Sequence, residues 1–139
     1  MTWTTKVSRK TTAAKEQIWK LWEDVPNWKA WDHGLESTEL FGEFQTGTKG
    51  TLKPVGGPKL PFTITACKPL VSFSDLTRLP FCKLEFHHSL SEVNGERIVT
   101  HEAVFSGPLT FLFSRIIGSG IAKDLPTTVA NLVALAESK

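Results

Sequence analysis

The sequence predicts an α+β fold in which a curved antiparallel sheet of about seven strands wraps around a long C-terminal helix, with two short helices after strand one. Two patterns predict it. Between residues 35 and 106, short runs of alternating apolar and polar residues are separated by turn residues, which is typical of antiparallel strands. From residue 107 onward, apolar residues recur instead at spacings of three and four, which predicts one long helix. Only this helix is long and apolar enough to cover the sheet.

The composition is that of an ordinary globular protein and excludes several classes. The 139 residues suffice for one domain, residues 1–139, with a substantial core. The net charge is +2, and Lys and Arg are scattered along the chain, so nucleic acid is not an expected partner. The start of the chain is polar, and no run reaches the roughly 18 apolar residues of a membrane span. We therefore expect a cytoplasmic protein with no stable membrane insertion.

The chain begins with a predicted strand and two predicted helices. Residues 3–9 alternate between apolar and polar side chains, as in a half-buried strand. Residues 13–24 follow with an apolar stripe at helical spacing. Residues 27–32 predict a second short helix or turn, in which Trp28 and Trp31 are three residues apart and therefore share one side.

The middle of the chain predicts a meander of antiparallel strands. Gly and Pro residues separate the alternating runs, and the Asn94-Gly95 pair is the strongest hairpin signal in the sequence. The predicted strands after the first are residues 35–41, 48–54, 60–67, 71–76, 82–92 and 97–106.

The long C-terminal helix, predicted over residues 107–139, contains three residues that disfavour helical geometry. Gly118 and Gly120 each cost about 1 kcal/mol relative to Ala, and Pro126 costs roughly 3 kcal/mol. We therefore expect a kink or a break near residues 123–126. The glycines either allow a neighbouring element to pack closely or make the helix a gate over a cavity.

Two of the four histidines are the candidate catalytic groups. Alternation along the last two strands places His88 and His101 on the face that also carries Phe86 and Phe105, so both imidazoles are expected to point inward. A cavity histidine could serve as a general acid or base, or it could be a hydrogen-bonded residue of the core or cavity wall. No spacing supplies a third ligand, so no metal site is predicted.

Phe73 and Asp75 are also expected on the inner face of the sheet, because they alternate along one strand. A buried carboxylate is costly unless it is paired, and Arg78 or one of the histidines is the expected partner. The alternative is that Asp75 is a solvated charge at the rim of the sheet.

The order of these elements resembles the START/Bet v 1-like (SRPBCC) superfamily, which has the helix-grip fold, and in particular its bacterial polyketide cyclase/dehydratase-like branch. The resemblance covers nearly the whole chain and rests on the first strand and on residues 13–24, 25–31, 42–50, 78–80 and 105–109. It implies a deep, mainly apolar cavity between the sheet and the C-terminal helix. Relatives use this cavity to bind lipids, hormones or polyketides and, in a minority, to catalyse cyclisation or dehydration. It also implies that no metal or organic cofactor is needed.

The resemblance places Trp28 and Trp31 at the mouth of the cavity, where they contact a ligand or close the core as a plug. Phe113 and Ile117 belong to the first half of the C-terminal helix, which is apolar over more than one face. Either a ligand covers this excess, or the partner subunit of a homodimer or a membrane-like surface does.

The predicted function is the binding of a hydrophobic small molecule or lipid in this cavity. A cyclase- or dehydratase-type enzyme that uses the histidines as acid and base is the alternative. A protein-interaction module is a further alternative, and it requires an exposed apolar patch and no cavity. The predicted ligand-binding residues are Trp28, Trp31, Phe73, Asp75, Phe86, His88, His101, Phe105, Phe113 and Ile117.

Overall fold

A computed structural model describes residues 1–138, and their strands form one antiparallel sheet. The seven strands are β1 (Thr2–Thr11), β2 (Leu35–Leu40), β3 (Lys49–Pro54), β4 (Leu60–Lys68), β5 (Ser72–Leu79), β6 (Cys82–Val93) and β7 (Glu96–Ser106). They lie in the order β1-β7-β6-β5-β4-β3-β2, so strands β2 to β7 pair successively along the chain, and β1 pairs with β7 at one edge of the sheet. This is the predicted meander, and the α+β helix-grip fold is confirmed.

The helices occupy the two places that the sequence predicts. After β1 come helix α1 (Lys15–Glu23) and a short 3-10 helix (Val25–Ala30). After β7 comes the C-terminal helix, which begins as α2 (Thr110–Phe113), widens into a π-helical turn (Ser114–Gly118) and continues as α3 (Ser119–Glu137). Gly118 and Ser119 both have right-handed helical backbone angles, so these three pieces follow one another without a gap.

Of the two outcomes predicted near residues 123–126, a kink or a break, the break is wrong, because α3 continues through Pro126. The missing N–H of Pro126 leaves the carbonyl of residue 122 without its helical partner, but the loss of one bond is offset by packing on either side. Leu125 and Val129 are both buried, whereas Pro126 itself is exposed. The departure from α-helical geometry occurs earlier, at the π-helical turn.

Gly118 ends this turn where the helix comes closest to the sheet. A methyl group at this position would lie 3.0 Å from the ring of Trp3 and 3.2 Å from that of Phe105, which is closer than side-chain carbons normally approach. The glycine at position 118 is therefore explained by close packing of a neighbouring element, which was one of the two predicted roles. Gly120 is different, because a methyl group there would meet nothing within 4 Å.

The β6–β7 hairpin sets the register of the inner face. Its turn is Asn94-Gly95, and both residues have positive φ, 54° and 80°, as the type I′ turn requires. This register places His88 directly opposite His101. On the other side of β6, His88 lies opposite Phe73, and Asp75 lies opposite Phe86.

The apolar interior has two parts. The larger part, which we call the main core, lies between α1, the 3-10 helix, the sheet and the C-terminal half of α3, and it includes Trp22, Phe73 and Leu132. The smaller part lies under the first half of the C-terminal helix and includes Leu84 and Phe105. The space between these two parts is only partly filled.

Candidate ligand-binding cavity

A cavity of about 300 Å³ separates the two apolar parts of the interior. Leu84, Phe86 and Ile117 line it from the smaller part, and Trp28 and Trp31 line it from the main core. The volume falls at the lower end of the range for small-molecule sites. The remaining apolar lining consists of Leu35, Leu52, Pro54, Leu60, Leu79, Ile121 and Leu125.

The C-terminal helix forms one wall of this cavity, and exposed residues mark its mouth. Gly120 and Asp124 of α3 and Gly34 of the turn before β2 line the cavity and are also exposed to solvent. The missing side chain of Gly120 leaves open space at this point of the wall. The mouth therefore lies between α3 and the segment that follows the 3-10 helix.

Seven of the ten predicted ligand-binding residues line this cavity, namely Trp28, Trp31, Asp75, Phe86, His88, His101 and Ile117. The other three lie behind its wall. Phe73 is fully buried and stacks on His88, with ring centroids 3.9 Å apart and planes 3° from parallel. Phe105 is covered by Trp3, and Phe113 packs into the smaller apolar part. Strand alternation places Phe73 and Phe105 on the inner face, and Phe113 belongs to helix α2, but none of the three rings lines the cavity.

Three buried polar atoms on the cavity wall have no hydrogen-bond partner within residues 1–138. They are the indole Nε1 of Trp31, the hydroxyl Oγ1 of Thr77 and the carboxyl Oδ1 of Asp75. The three residues are 3%, 1% and 2% exposed, so water does not reach them freely. Buried polar groups are normally paired, and each exception needs an explanation. All three residues line the same cavity.

Asp75 lies in an environment that favours its neutral form. Burial raises the pKa of this carboxyl to about 8, and the nearby carboxylate of Asp32 adds to the increase. Burial also raises the pKa of Asp32, and the nearby Asp124 carboxylate raises it further. The hydrogen bond that the Gly34 N–H donates to Asp32 acts in the opposite direction and lowers this pKa. The three carboxyl groups come from different segments and meet at one cavity.

The expected ion pair between Asp75 and Arg78 is not formed. Arg78 is three residues further along β5, so its side chain projects from the opposite face of the sheet and is exposed. No ion pair to Asp75 is found within residues 1–138. The alternative of a solvated rim charge is also excluded, because the residue is 2% exposed.

The two inward histidines are neutral groups held by specific partners. The indole N–H of Trp22 donates to His101 Nε2 at 3.2 Å, so the ring hydrogen of His101 lies on Nδ1. His88 Nδ1 donates to the carbonyl of Phe73 at 3.2 Å. Burial lowers the pKa of His101 to about 3, and burial together with the neighbouring His101 lowers the pKa of His88 well below its usual value.

These contacts oppose the acid–base role that the sequence suggested for His88 and His101. A group with a pKa near 3 is a weak base at neutral pH, and efficient acid–base catalysis requires a pKa close to the working pH. The basic nitrogen of His101 is also occupied by Trp22. The structure therefore favours the other proposed role, in which both rings are hydrogen-bonded parts of the cavity wall.

The exposed apolar residues of the C-terminal helix lie outside the cavity. Phe111, Leu112 and Ile116 are 51%, 39% and 65% exposed. The π-helical turn widens the helix at this point, and the sheet covers only its opposite side, where Gly118 is buried. The predicted excess of apolar surface is therefore present, and the cavity accounts for Ile117 but not for these three residues.

Thr77, Asp32 and Asp124 are among the cavity residues that the sequence did not identify. Thr77 follows Asp75 at the next inward position of β5, so alternation could have identified it. Asp32 and Asp124 are more than ninety positions apart in the chain and carry no shared motif. Only the packing of α3 beside the turn before β2 brings them to one cavity.

Metal-binding groups and membrane-spanning helices were also sought in residues 1–138. No set of three His, Cys, Asp or Glu side chains there is arranged to hold a metal ion. No helix in this part of the chain is both long and apolar enough to cross a membrane.

Comparison with known proteins identifies the fold. No protein-family model matches the chain, and no curated protein matches it in sequence. Solved structures match over nearly the full length. Ara h 8.0201 superimposes with a TM-score of 0.73 at 12% identity, covering 100% of both chains. Protein MLL2253 from Mesorhizobium loti gives 0.76 at 17% identity, covering 99% of this chain and 98% of the other.

A third similar structure is the Zhui aromatase/cyclase from Streptomyces sp. R1128, with a TM-score of 0.77 at 12% identity, covering 99% of this chain and 94% of the other. These structures confirm the helix-grip fold that the resemblance predicted. Identities this low carry no information about the ligand or the reaction.

Proposed function

We propose that this protein binds a hydrophobic small molecule in the cavity between the sheet and the C-terminal helix. The observation that carries the proposal is a cavity of about 300 Å³ whose wall is mostly apolar but includes three buried polar atoms without partners. Apolar burial would supply affinity at roughly 25 cal/mol per Å² of ligand surface removed from water. The polar atoms would orient the ligand.

The structural neighbours support the same conclusion in a general way. One of them is described as an aromatase/cyclase. The presence of a cavity also argues against the protein-interaction alternative, which required its absence. The exposed side chains of Phe111 and Ile116 provide a second apolar surface, so the test must separate the two places.

The test uses an uncharged fluorescent probe, phenylnaphthylamine, whose emission rises when it leaves water. Leu84, which is 7% exposed and lines the cavity, is replaced by Trp to fill part of the space. We expect Leu84→Trp to weaken probe binding at least about tenfold, since the added ring occupies the volume that the probe needs. Thermal unfolding of the variant checks that it is folded.

The matched control is Ile116→Ser, which removes an exposed apolar side chain without touching the cavity. It is expected to leave probe binding unchanged. If Ile116→Ser abolishes binding and Leu84→Trp does not, the probe sits on the helix surface and the proposal is wrong.

A second candidate function, catalysis of a cyclisation or dehydration, is favoured by Asp75 rather than by the histidines. With a pKa of about 8, this carboxyl holds a proton at neutral pH and could deliver it to a carbonyl or hydroxyl oxygen of a bound substrate. If the protein is such an enzyme, Asp75→Asn will lose turnover of a substrate while still binding it. Retained turnover in that variant would exclude this role for Asp75.

A further inference from the structure

We propose that the cavity selects a ligand that carries a hydroxyl or carbonyl oxygen, and that it excludes carboxylates such as free fatty acids. This inference rests on the proposed binding function and adds the chemical class of the ligand. It comes from the hydrogen-bonding capacity and the charge of the cavity wall.

The Trp31 indole requires an acceptor. An indole N–H can only donate, and this one is buried on the wall with no partner within residues 1–138. A pure hydrocarbon would leave it unpaired inside the complex, as would an ammonium group, which has no lone pair. A ligand oxygen at this position would satisfy it.

Thr77 and Asp75 add polar groups on the part of the wall that β5 forms. They occupy successive inward positions of β5, about 7 Å apart along the strand at roughly 3.3 Å per residue. The Thr77 hydroxyl can donate or accept, and the raised pKa of Asp75 keeps its carboxyl mostly protonated at neutral pH, so it too can do both. Together with Trp31, these groups match an alcohol, phenol or ketone.

The charge of the wall disfavours an anion. Among the described residues that line the cavity, three are aspartates and none is a lysine or an arginine. Both histidines of the wall have lowered pKa values and are neutral. A buried carboxylate needs a counter-charge or several donors, and here it would face Asp32 and Asp124 instead.

The test compares naphthalene derivatives of nearly equal size that differ in charge. Naphthalenemethanol and naphthoic acid, substituted at the same ring position, compete with phenylnaphthylamine at neutral pH. We expect the alcohol to bind at least about tenfold more tightly than the acid. Equal or tighter binding of the acid would overturn the inference.

The same series distinguishes failure of this inference from failure of the proposed function. If phenylnaphthylamine binds in the cavity but the alcohol does not displace it, the inference is wrong and the binding function stands. If phenylnaphthylamine itself does not bind in the cavity, both are wrong.

Thr77→Val tests whether the unpaired hydroxyl recognises the ligand, since the two side chains have nearly the same shape. We expect this variant to bind naphthalenemethanol about fivefold to tenfold more weakly, to bind ethylnaphthalene as before, and to unfold at a higher temperature than the wild type. The opposite signs arise because the free protein loses an unpaired buried hydroxyl, whereas the complex loses a hydrogen bond.

Thr110→Val is the matched control. Thr110 is equally buried, at 1% exposure, but its hydroxyl donates to the Gly107 carbonyl at 2.7 Å and lies away from the cavity. This control should lower the unfolding temperature and leave the affinity for the alcohol unchanged. A Thr77→Val variant that behaves like Thr110→Val would overturn the role assigned to Thr77.

Discussion

The main core and the cavity are built on the same helix and the same face of the sheet, yet the main core is filled and the cavity is open. In the main core, Leu132 of α3 and Phe73 of β5 are completely buried, and Phe73 contacts several aromatic rings. At the cavity, the same strand presents Asp75 and Thr77 with unpaired polar atoms.

The difference separates the source of stability from the site of function. Close-packed apolar side chains supply most of the stabilising free energy of a domain, and an unpaired buried polar atom opposes it by about 1 to 3 kcal/mol. The main core therefore stabilises the fold, and the cavity wall carries groups whose retention costs stability. Three predictions test this contrast.

The largest expected effect comes from truncating two leucines of α3, one in the main core and one at the cavity. Leu132→Ala is expected to lower the free energy of unfolding by about 4 kcal/mol, because it removes a side chain that is surrounded on all sides. Leu125→Ala is expected to cost about half as much, because Leu125 already faces the cavity with part of its surface. Urea denaturation of both variants measures the difference. Equal losses would mean that the cavity is closed in solution.

A smaller effect is expected when the ionisable carboxyl group of Asp75 is removed from the cavity wall. The pKa of Asp75 is about 8 in the folded state and close to 3.8 in the unfolded state. Its contribution to stability is therefore fully present below pH 3.8 and is lost as the pH rises through about 8. We expect the stability of Asp75→Asn relative to the wild type to increase by about 3 kcal/mol between about pH 6 and pH 9.

The difference in unfolding free energy between Asp75→Asn and the wild type at each pH isolates the contribution of the Asp75 carboxyl. Asp32, Asp124, His88 and His101 line the same cavity in both, so their own titration largely cancels in the difference. Denaturant unfolding at several pH values measures it. A difference that stays constant with pH would show that Asp75 titrates near its ordinary pKa.

The smallest expected effect concerns the two glycines of the C-terminal helix. Gly120→Ala should raise the free energy of unfolding by about 1 kcal/mol, because alanine favours the helix and the new methyl group enters open space. Gly118→Ala should gain less or lose stability, since its methyl group would press on the rings of Trp3 and Phe105. Thermal unfolding of the pair provides the measurement. An equal gain at both positions would contradict the close packing at Gly118.

The sequence predicted the elements well because their signals are local. The alternation around Asn94-Gly95 predicted the β6–β7 hairpin, and that hairpin places His88 beside His101. Such a pattern depends only on the geometry of a strand and on a turn of two residues. The inward direction of Asp75 was predicted for the same reason, and its burial is observed.

The sequence did not predict the behaviour of groups whose surroundings come from distant segments. The strain of Pro126 was expected to break the helix, but buried neighbours at Leu125 and Val129 hold the helix on both sides. The histidines were candidate acids and bases, but burial lowers the pKa of each. Phe73 was expected to contact a ligand, yet it stacks on His88 instead.

The sequence by itself determined which residues form strands and helices, and which side chains face inward, because periodicity and turn chemistry act over a few neighbouring residues. Only the tertiary structure decided that the space beside Asp75, Thr77 and Trp31 stays open and that Asp32 and Asp124 border it. A cavity is the volume that many side chains leave unfilled. Its position therefore depends on how the helix and the sheet come together, which no local pattern encodes.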